Sequence, residues 1–200
     1  MAPHDLQGAA DWLRRGGIVA FPTDTFYGLA VDPRSAQAVG ALYELKGRPG
    51  SSALPFVAAS RDQVEALCGR LDRRSAALAD AFWPGPLSLV LDAPSAFAPD
   101  VLAGQRSIAI RVPAMRVARV LCEVWGSPLP ATSANRSGEP PAATAAALEA
   151  LAADTRVCVV DGGTTAGGRP STIVDVRGAA PVLIREGAIA WSRVLRSFEA

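Results

Sequence analysis

With 200 residues, of which 50% are hydrophobic, the chain can bury one substantial core, and its length predicts a single domain over residues 1–200. A formal net charge of +1 excludes a protein that binds nucleic acid through a generally basic surface, so any positive site must be local. No apolar run approaches the roughly 20 residues of a membrane span, and the charged N-terminal segment is unlike a secretory signal, so we expect a cytoplasmic protein without membrane contact.

The first quarter of the chain alternates between helix and strand. Asp5 is placed to cap a helix whose apolar residues recur at helical spacing until residues 16–17, both glycine. Residues 18–21 predict a buried strand that leads into a polar turn. Ser35 can cap a second helix, which must end near residues 46–49 because a proline follows.

The same alternation continues to the end of the chain. Strands are predicted at residues 54–59, 87–91, 108–112, 129–132, 157–161, 172–176 and 182–185, and helices at residues 62–67, 73–82, 115–124 and 142–152. Strands that alternate with helices in this way predict an α/β protein, with helices packed on a sheet.

A polar turn follows the first strand. Residues 22–29 place Thr23, Asp24 and Thr25 at the end of that strand, where open α/β sheets commonly bind ligands. The alternative is a purely structural Asx-turn, in which Asp24 accepts hydrogen bonds from backbone N–H groups.

Two cations stand at the end of the second helix. Lys46 and Arg48 suit the oxygens of a triphosphate, because arginine can bond two oxygens and lysine acts as a point charge. The alternative is that both residues only complement the negative end of the helix dipole.

Two further loops carry groups that could contact a ligand. Ser133 and Asn135 bring a hydroxyl and an amide into a turn that could cradle a phosphate, or could simply cap a helix. The glycine pairs of residues 162–163 and 167–168 would allow close approach of the backbone to a ligand, or would form a mobile connection. No Walker A motif is present.

The cysteine and histidine content limits the kinds of catalytic and metal site that we expect. Cys68, Cys122 and Cys158 are odd in number and far apart, which indicates buried reduced thiols rather than disulfides or a thiolate metal site. The single histidine, His4, lies near the terminus and argues against a Ser-His-Asp triad and a histidine zinc site.

Taken in order, seven short segments closely resemble the YrdC-type threonylcarbamoyl-AMP synthase family. They are PTDTFYGL at residues 22–29, KGRP at 46–49, WPGPL at 83–87, RVP at 111–113, SAN at 133–135, STIVD at 171–175 and R-x-G at 185–187. The resemblance runs from about residue 16 to residue 189, and the combination of Lys-x-Arg with Ser-x-Asn is its most specific part.

The resemblance implies a YrdC-like fold: a twisted, largely open mixed sheet, with helices packed on it, around a large concave cavity that holds ATP beside threonine. By matching motif positions, it implies ATP-site roles for Lys46, Arg48, Ser52, Ser107, Ser133, Asn135 and Arg185, with Lys46 and Arg48 also catalytic. It implies threonine contacts for Thr25, Arg111 and Ser171, and no metal ligand from the protein.

The resemblance also implies a reaction. L-threonine, bicarbonate and ATP, with Mg²⁺ assisting, would give threonylcarbamoyl-AMP and pyrophosphate. A downstream threonylcarbamoyl transferase complex would then use this product to make threonylcarbamoyladenosine in tRNA, and the protein could contact tRNA or double-stranded RNA directly.

This sequence departs from the family pattern at Val57, where many members have a histidine, so a histidine contribution to amino-acid binding is missing here. We expect the short, single-domain form of the family. Two other functions stay open at this point: a carbamoyl-adenylate-type enzyme, and a module that binds double-stranded RNA or tRNA without ATP turnover.

Overall fold

The computed structural model describes residues 5–47, 52–94 and 97–199. Its strands are β1 Ile18–Pro22, β2 Tyr27–Ala30, β3 Phe56–Val57, β4 Leu87–Asp92, β5 Ser107–Arg111, β6 Leu129–Pro130, β7 Thr132–Ser133, β8 Val157–Val159, β9 Thr172–Asp175 and β10 Val182–Arg185. Its α-helices are α1 Leu6–Arg14, α2 Ala36–Leu45, α3 Arg61–Cys68, α4 Arg73–Phe82, α5 Pro99–Leu102, α6 Arg116–Trp125, α7 Glu149–Ala152 and α8 Trp191–Glu199. No described helix is both long and apolar enough to cross a lipid bilayer.

The predicted α/β class with a mixed sheet is confirmed, and the strands divide between two sheets. The smaller sheet has the order β7-β2-β1-β8, and the larger has the order β10-β9-β4-β5-β3-β6. Each combines parallel and antiparallel pairs: β1 is antiparallel to β2 and parallel to β8, while β4 is antiparallel to β5 and parallel to β9.

Strand β1 lies at the centre of the packing. All five of its residues are buried. Because successive side chains of a strand point to opposite faces, Ile18 and Ala20 join a large apolar cluster, whereas Val19 and Phe21 join a smaller one with α1 and α6. Burial on both faces fixes the position of this strand, and therefore of the polar turn that follows it.

Two predicted helix starts are confirmed by their caps. The Asp5 carboxylate accepts a hydrogen bond from the Gly8 N–H at 2.7 Å, and the Ser35 hydroxyl accepts one from the Ala38 N–H at 3.2 Å. Each cap satisfies a backbone donor that the first turn of a helix leaves without a partner.

The predicted helix at residues 142–152 is wrong at its first four residues, which are not helical. A 3₁₀ turn, Ala146–Leu148, and the single turn of α7 follow them. The Ala142 carbonyl instead accepts from the Tyr27 N–H at 2.9 Å, and the Ala143 carbonyl accepts from the Thr165 N–H at 2.9 Å. Tertiary hydrogen bonds thus take the carbonyls that would begin the helix, and they override the helix propensity of alanine.

Other differences concern short strands and the C-terminal helix. Strand β2 and helix α8 were not predicted, and β3 has only two of the six residues expected for it. The predicted strand at residues 129–132 is divided into β6 and β7, which belong to different sheets.

Candidate functional site

One cavity of about 770 Å³ is lined by strands of both sheets and by the loops that follow them. Such a volume is typical of a ligand site. The lining residues that carry polar side chains are Thr23, Thr25, Tyr27, Ser52, Gln105, Ser107, Arg111, Thr132, Ser133, Ser171 and Arg185.

Neighbouring strands of the larger sheet build one wall. Arg185 of β10 pairs in register with Ile173 of β9, which pairs with Ser88 of β4. Arg111 ends β5, and Ser171 immediately precedes β9. We call Arg111, Ser171 and Arg185 the sheet wall.

Two guanidinium groups converge on Ser171. Its Oγ lies 3.3 Å from Nη1 of Arg111 and 3.2 Å from Nη2 of Arg185, and the Ser88 hydroxyl lies 3.2 Å from it. Arg185 also donates from Nε and Nη2 to the Ser171 carbonyl, at 3.2 and 2.9 Å. Because these neighbours already supply the donors that the Ser171 oxygen can accept, its own hydrogen is left to donate to a ligand.

The electrostatics of the sheet wall favour an anionic ligand. Burial lowers the pKa of Arg111 from its ordinary value, and the neighbouring Asp24 carboxylate acts in the opposite direction. Burial also lowers the pKa of Arg185, and the positive charge of Arg111 lowers it further. Two partly desolvated cations therefore repel each other across Ser171, and an anion between them would relieve that repulsion.

Residues of the turn after β1 contact the Arg111 guanidinium. The Thr23 hydroxyl accepts from Nη2 of Arg111 at 3.2 Å and lies 2.7 Å from the Phe26 carbonyl, to which it donates. Asp24 Oδ1 lies 3.3 Å from Nη2 of Arg111, but neither Asp24 oxygen accepts a hydrogen bond from the residues that the structure describes. The Asx-turn interpretation of Asp24 is therefore wrong, because Thr23 closes this turn instead.

A loop held by a buried lysine forms a second part of the cavity wall. Lys46 is 3% exposed, and its Nζ donates to the carbonyls of Ser133 and Asn135 at 2.5 and 3.0 Å. The Asn135 amide nitrogen donates to the Glu139 carbonyl at 2.7 Å, which tightens the same loop. We call Lys46, Ser133 and Asn135 the loop wall; Ser133 faces the cavity, and the other two residues lie behind it.

Hydrogen bonds hold the glycine-rich segment at residues 162–168 against residues that line the cavity, so the segment is more than a mobile connection. The Gly167 N–H donates to the Thr25 carbonyl at 2.8 Å, and the Tyr27 hydroxyl donates to the Gly163 carbonyl at 2.7 Å. Gly167 and Gly168 have φ values of +63° and +78°, a region that favours glycine. Gly168 lines the cavity.

Most of the residues predicted for the site come together in this cavity. Those that line it are Thr25, Ser52, Ser107, Arg111, Ser133, Ser171 and Arg185. Lys46 and Asn135 adjoin it through the loop wall. Arg48 lies outside the described residues.

Sequence reasoning assigned no site role to Ser88 or Gln105, and it left open whether Asp24 belongs to a ligand site or only to a structural turn. Ser88 lies on β4 and donates a hydrogen bond to Ser171, which immediately precedes the adjacent strand β9, but only the strand register reveals this proximity. Val57, at the position where a histidine was expected, is fully buried and pairs in register with Arg111. Its aliphatic side chain can pack beside Arg111 but cannot form a hydrogen bond there.

Side chains that could bind a metal ion are scattered over the described part of the chain. In residues 5–47, 52–94 and 97–199, no three His, Cys, Asp or Glu side chains are grouped closely enough to hold one. The described cysteines are free; Cys122 is buried, whereas Cys68 and Cys158 are only partly buried.

Comparison with known proteins adds three findings. The Sua5/YciO/YrdC family model, described as "Telomere recombination", matches residues 11–187. A protein of Pyrococcus abyssi (strain GE5 / Orsay) named threonylcarbamoyl-AMP synthase is 38% identical over 186 residues, which cover 93% of this chain and 55% of that protein. A protein of the same name from Thiobacillus denitrificans (strain ATCC 25259 / T1) is 39% identical over 169 residues, which cover 84% of this chain and 89% of that protein.

The fold has a close counterpart among solved structures. The crystal structure of P. abyssi Sua5 complexed with L-threonine superposes with a TM-score of 0.90 at 34% sequence identity. The match covers 98% of this chain and 58% of that one. This chain therefore spans little more than half of the Pyrococcus protein, but most of the Thiobacillus protein.

Proposed function

This chain belongs to the Sua5/YciO/YrdC family, and from that membership we propose that it is an L-threonylcarbamoyladenylate synthase, a nucleotidyltransferase that makes threonylcarbamoyl-AMP and pyrophosphate. The similarity of its fold to Sua5 confirms the expected YrdC-like fold. The observation that carries the proposal is the convergence of Arg111 and Arg185 on Ser171, within a cavity that Ser133 of the loop wall also lines.

The sheet wall is the proposed amino-acid end of the cavity. A threonine carboxylate needs a cation with several donors, and arginine can bond both carboxylate oxygens. Arg111 is 6% exposed, and its Nε has no hydrogen-bond partner among the described residues. Ser171 can donate its hydroxyl hydrogen to the same ligand, and Thr25 lines the cavity beside these residues.

The loop wall, with Ser107 and Ser52, is the proposed nucleotide end. The Ser133 side chain is exposed toward the cavity, and Lys46 holds the backbone that carries it. Arg185, which belongs to the sheet wall, would contact the phosphates where the two ends meet. The role of Arg48 in binding phosphate rests on the Lys-x-Arg motif alone.

In the proposed reaction, the threonine amine attacks CO₂ derived from bicarbonate and loses a proton, which gives a carbamate. A carbamate oxygen then attacks the α-phosphorus of ATP. The bond from that phosphorus to its bridging oxygen breaks, and pyrophosphate leaves with the electron pair. The protein contributes alignment of the two reactants and neutralisation of their charges.

Charge is the main obstacle to this step, since a carbamate anion must approach a triphosphate. Arg111 and Arg185 would offset the repulsion, and Lys46 adds a positive charge behind Ser133. Mg²⁺ would neutralise the triphosphate further. We assign its ligands mainly to phosphate oxygens, because the described residues present no cluster of metal-binding side chains and Mg²⁺ often binds in this way.

The product is a mixed anhydride that would pass to a threonylcarbamoyl transferase complex acting on tRNA in the cytoplasm. Direct contact with tRNA or double-stranded RNA belongs to the same proposal.

The experiment that tests the function measures pyrophosphate release from ATP by the purified protein with bicarbonate and Mg²⁺. L-threonine is compared with L-serine and with no amino acid, and mass spectrometry identifies the adenylate. Threonine-dependent release with threonylcarbamoyl-AMP as product is the expected result. Release without threonine would instead support a carbamoyl-adenylate-type enzyme, and salt-sensitive RNA binding without turnover would support an RNA-binding module.

Arg111→Gln should abolish the threonine dependence, because it removes the proposed carboxylate ligand. Arg177→Gln is the matched control: Arg177 follows the strand β9 of the same sheet, but it pairs with Asp175 and does not line the cavity.

A further inference from the structure

Asp24 is a buried carboxylate whose position the fold alone does not explain. Its side chain is 8% exposed, and neither carboxylate oxygen accepts a hydrogen bond from the described residues. A buried anion without hydrogen bonds opposes folding, because it loses its water and gains little in return. Its ionic contact is with Nη2 of Arg111, at 3.3 Å.

Two nitrogens of Arg111 contact different partners. Nη2 faces Asp24, whereas Nη1 donates to Ser171, the side chain that also accepts from Arg185. Without Asp24, the guanidinium groups of Arg111 and Arg185 would both donate to Ser171 with no carboxylate nearby to offset their positive charges. Their repulsion would then favour rotation of Arg111 away from the cavity wall.

Asp24 cannot itself contact a ligand in this arrangement. Both of its oxygens are shielded from solvent, and it does not line the cavity, whereas the flanking Thr23 and Thr25 do. Any effect of Asp24 on a ligand must therefore pass through Arg111.

We propose that Asp24 is the positioning residue of the amino-acid end: its negative charge holds the Arg111 guanidinium against the cavity wall and offsets the repulsion from Arg185. The part of this inference that concerns threonine rests on the proposed function. The part that concerns the coupling of Asp24 to Arg111 does not.

A double-mutant cycle on thermal stability tests the coupling without any assay of activity. Asp24→Asn keeps the shape of the side chain and removes its charge, which leaves Arg111 buried without a counter-ion. We expect its melting temperature to fall by about 5 °C or more. In an Arg111→Gln background, the same Asp24→Asn substitution should raise the melting temperature, because it then removes a buried charge that has lost its partner.

An Asp24→Asn effect of the same sign and size in both backgrounds would overturn the proposal, since Asp24 would then act independently of Arg111. If the single Asp24→Asn variant does not fold, recovery of folding in the Asp24→Asn, Arg111→Gln double variant supports the coupling, and failure of both contradicts it.

Steady-state kinetics test the consequence for the ligand. Asp24→Asn should raise KM for L-threonine by about 10-fold or more, the loss expected for a weakened charged hydrogen bond, and should leave KM for ATP within about 2-fold. Asp32→Asn, which removes the carboxylate of a surface ion pair with Arg34, should change neither constant.

Equal rises in both KM values, or a lower kcat with unchanged KM, would contradict a positioning role at the amino-acid end. If the wild-type protein shows no threonine-dependent turnover, the proposed function fails, while the stability cycle still decides whether Asp24 is coupled to Arg111.

Discussion

The sheet wall and the loop wall face the same cavity but are held in place by different physical means. In the sheet wall, side chains from strands in register meet at one hydroxyl, and two of them carry like charges. In the loop wall, a single buried ammonium group holds two backbone carbonyls of a short segment. The charge of Lys46 is thus satisfied by the fold, whereas the charges of Arg111 and Arg185 oppose each other.

Because of this difference, substitutions in the loop wall should mainly affect the stability of the protein, whereas loss of Arg185 from the sheet wall should mainly affect ligand binding. A loop that depends on one lysine should unfold locally when that lysine is lost. The sheet wall should tolerate removal of Arg185 in stability, because Arg185 is repelled by Arg111, but not in ligand binding. Substitutions at the two walls, taken from the largest expected loss of stability to the smallest, test this contrast.

Lys46→Met should cause the largest loss. Methionine fills the buried space but leaves the carbonyls of Ser133 and Asn135 without their charged donor, which corresponds to about 3 kcal/mol or more of unfolding free energy. Urea denaturation measures the loss. Arg15→Met is the control, because Arg15 lies over the Trp12 ring at the surface, a contact worth about 0.5–1 kcal/mol. Equal losses in both variants would show that Lys46 does not hold the loop wall.

Gly187→Ala should follow, because the sheet wall depends on close backbone contact. A Cβ at residue 187 would lie 2.0 Å from the Pro170 carbonyl oxygen and 2.5 Å from the Ser171 carbonyl carbon. The backbone that positions Ser171 must therefore move, at a loss of about 2–3 kcal/mol. Gly178→Ala is the matched control in the β9–β10 connection, since its Cβ would meet only the Ala180 carbonyl oxygen, at 3.6 Å. A Gly187→Ala variant as stable as the control would contradict this close packing.

Tyr27→Phe should produce a smaller loss. The Tyr27 hydroxyl donates to the Gly163 carbonyl at 2.7 Å and accepts from the Gly162 N–H at 3.3 Å, so its removal should lower the unfolding free energy by about 1 kcal/mol. Tyr43→Phe is the control, because it removes a buried hydroxyl that bonds Ser52 and Asp100 instead. Proteolysis within residues 162–168 should increase in Tyr27→Phe alone.

The same tyrosine predicts a dependence on pH. Burial raises the pKa of Tyr27 above its ordinary value of 10.0, so the folded state retains this proton at a pH where the unfolded state releases it. The contribution of Tyr27 to stability is therefore complete below pH 10 and is lost as the pH rises through the folded pKa. Urea denaturation at pH 8 and above pH 10 should show this loss in the wild type and a smaller loss in Tyr27→Phe.

The sequence predicted the elements whose signals are local. The caps at Asp5 and Ser35, the helix at Arg73–Phe82 and the strand at Val182–Arg185 need only neighbouring residues to be recognised. The start of the alanine-rich helix, at residues 142–145, was mispredicted because Tyr27 and Thr165, both distant in sequence, bind the carbonyls of residues 142 and 143. Local propensity contains no information about such partners.

The candidate site shows the same limit. Motif matching found Arg111, Ser171 and Arg185, and the structure brings them together. Motif matching could not reveal that Ser88 donates a hydrogen bond to the Ser171 hydroxyl. Nor could it reveal that Asp24 faces Arg111 rather than the backbone of its own turn. Both facts depend on strand register and on side-chain direction, which a single sequence does not specify.

Arg185→Gln should cause the smallest loss of stability, and this result would sharpen the contrast between the walls most. The substitution removes hydrogen bonds to the Ser171 carbonyl and hydroxyl, but it also removes the repulsion from Arg111 that lowers the pKa of Arg185. These effects oppose each other, so the unfolding free energy should change by less than about 1 kcal/mol. Threonine-dependent adenylate formation should nevertheless fall by about 10-fold or more in kcat/KM, because one of the two cations that face the anions is lost. The Arg177→Gln control should show a similarly small change in stability with unchanged turnover. A loss of more than about 2 kcal/mol in Arg185→Gln would mean that its hydrogen bonds outweigh the repulsion, and the sheet wall would then be held together as the loop wall is, by a cation that the fold requires.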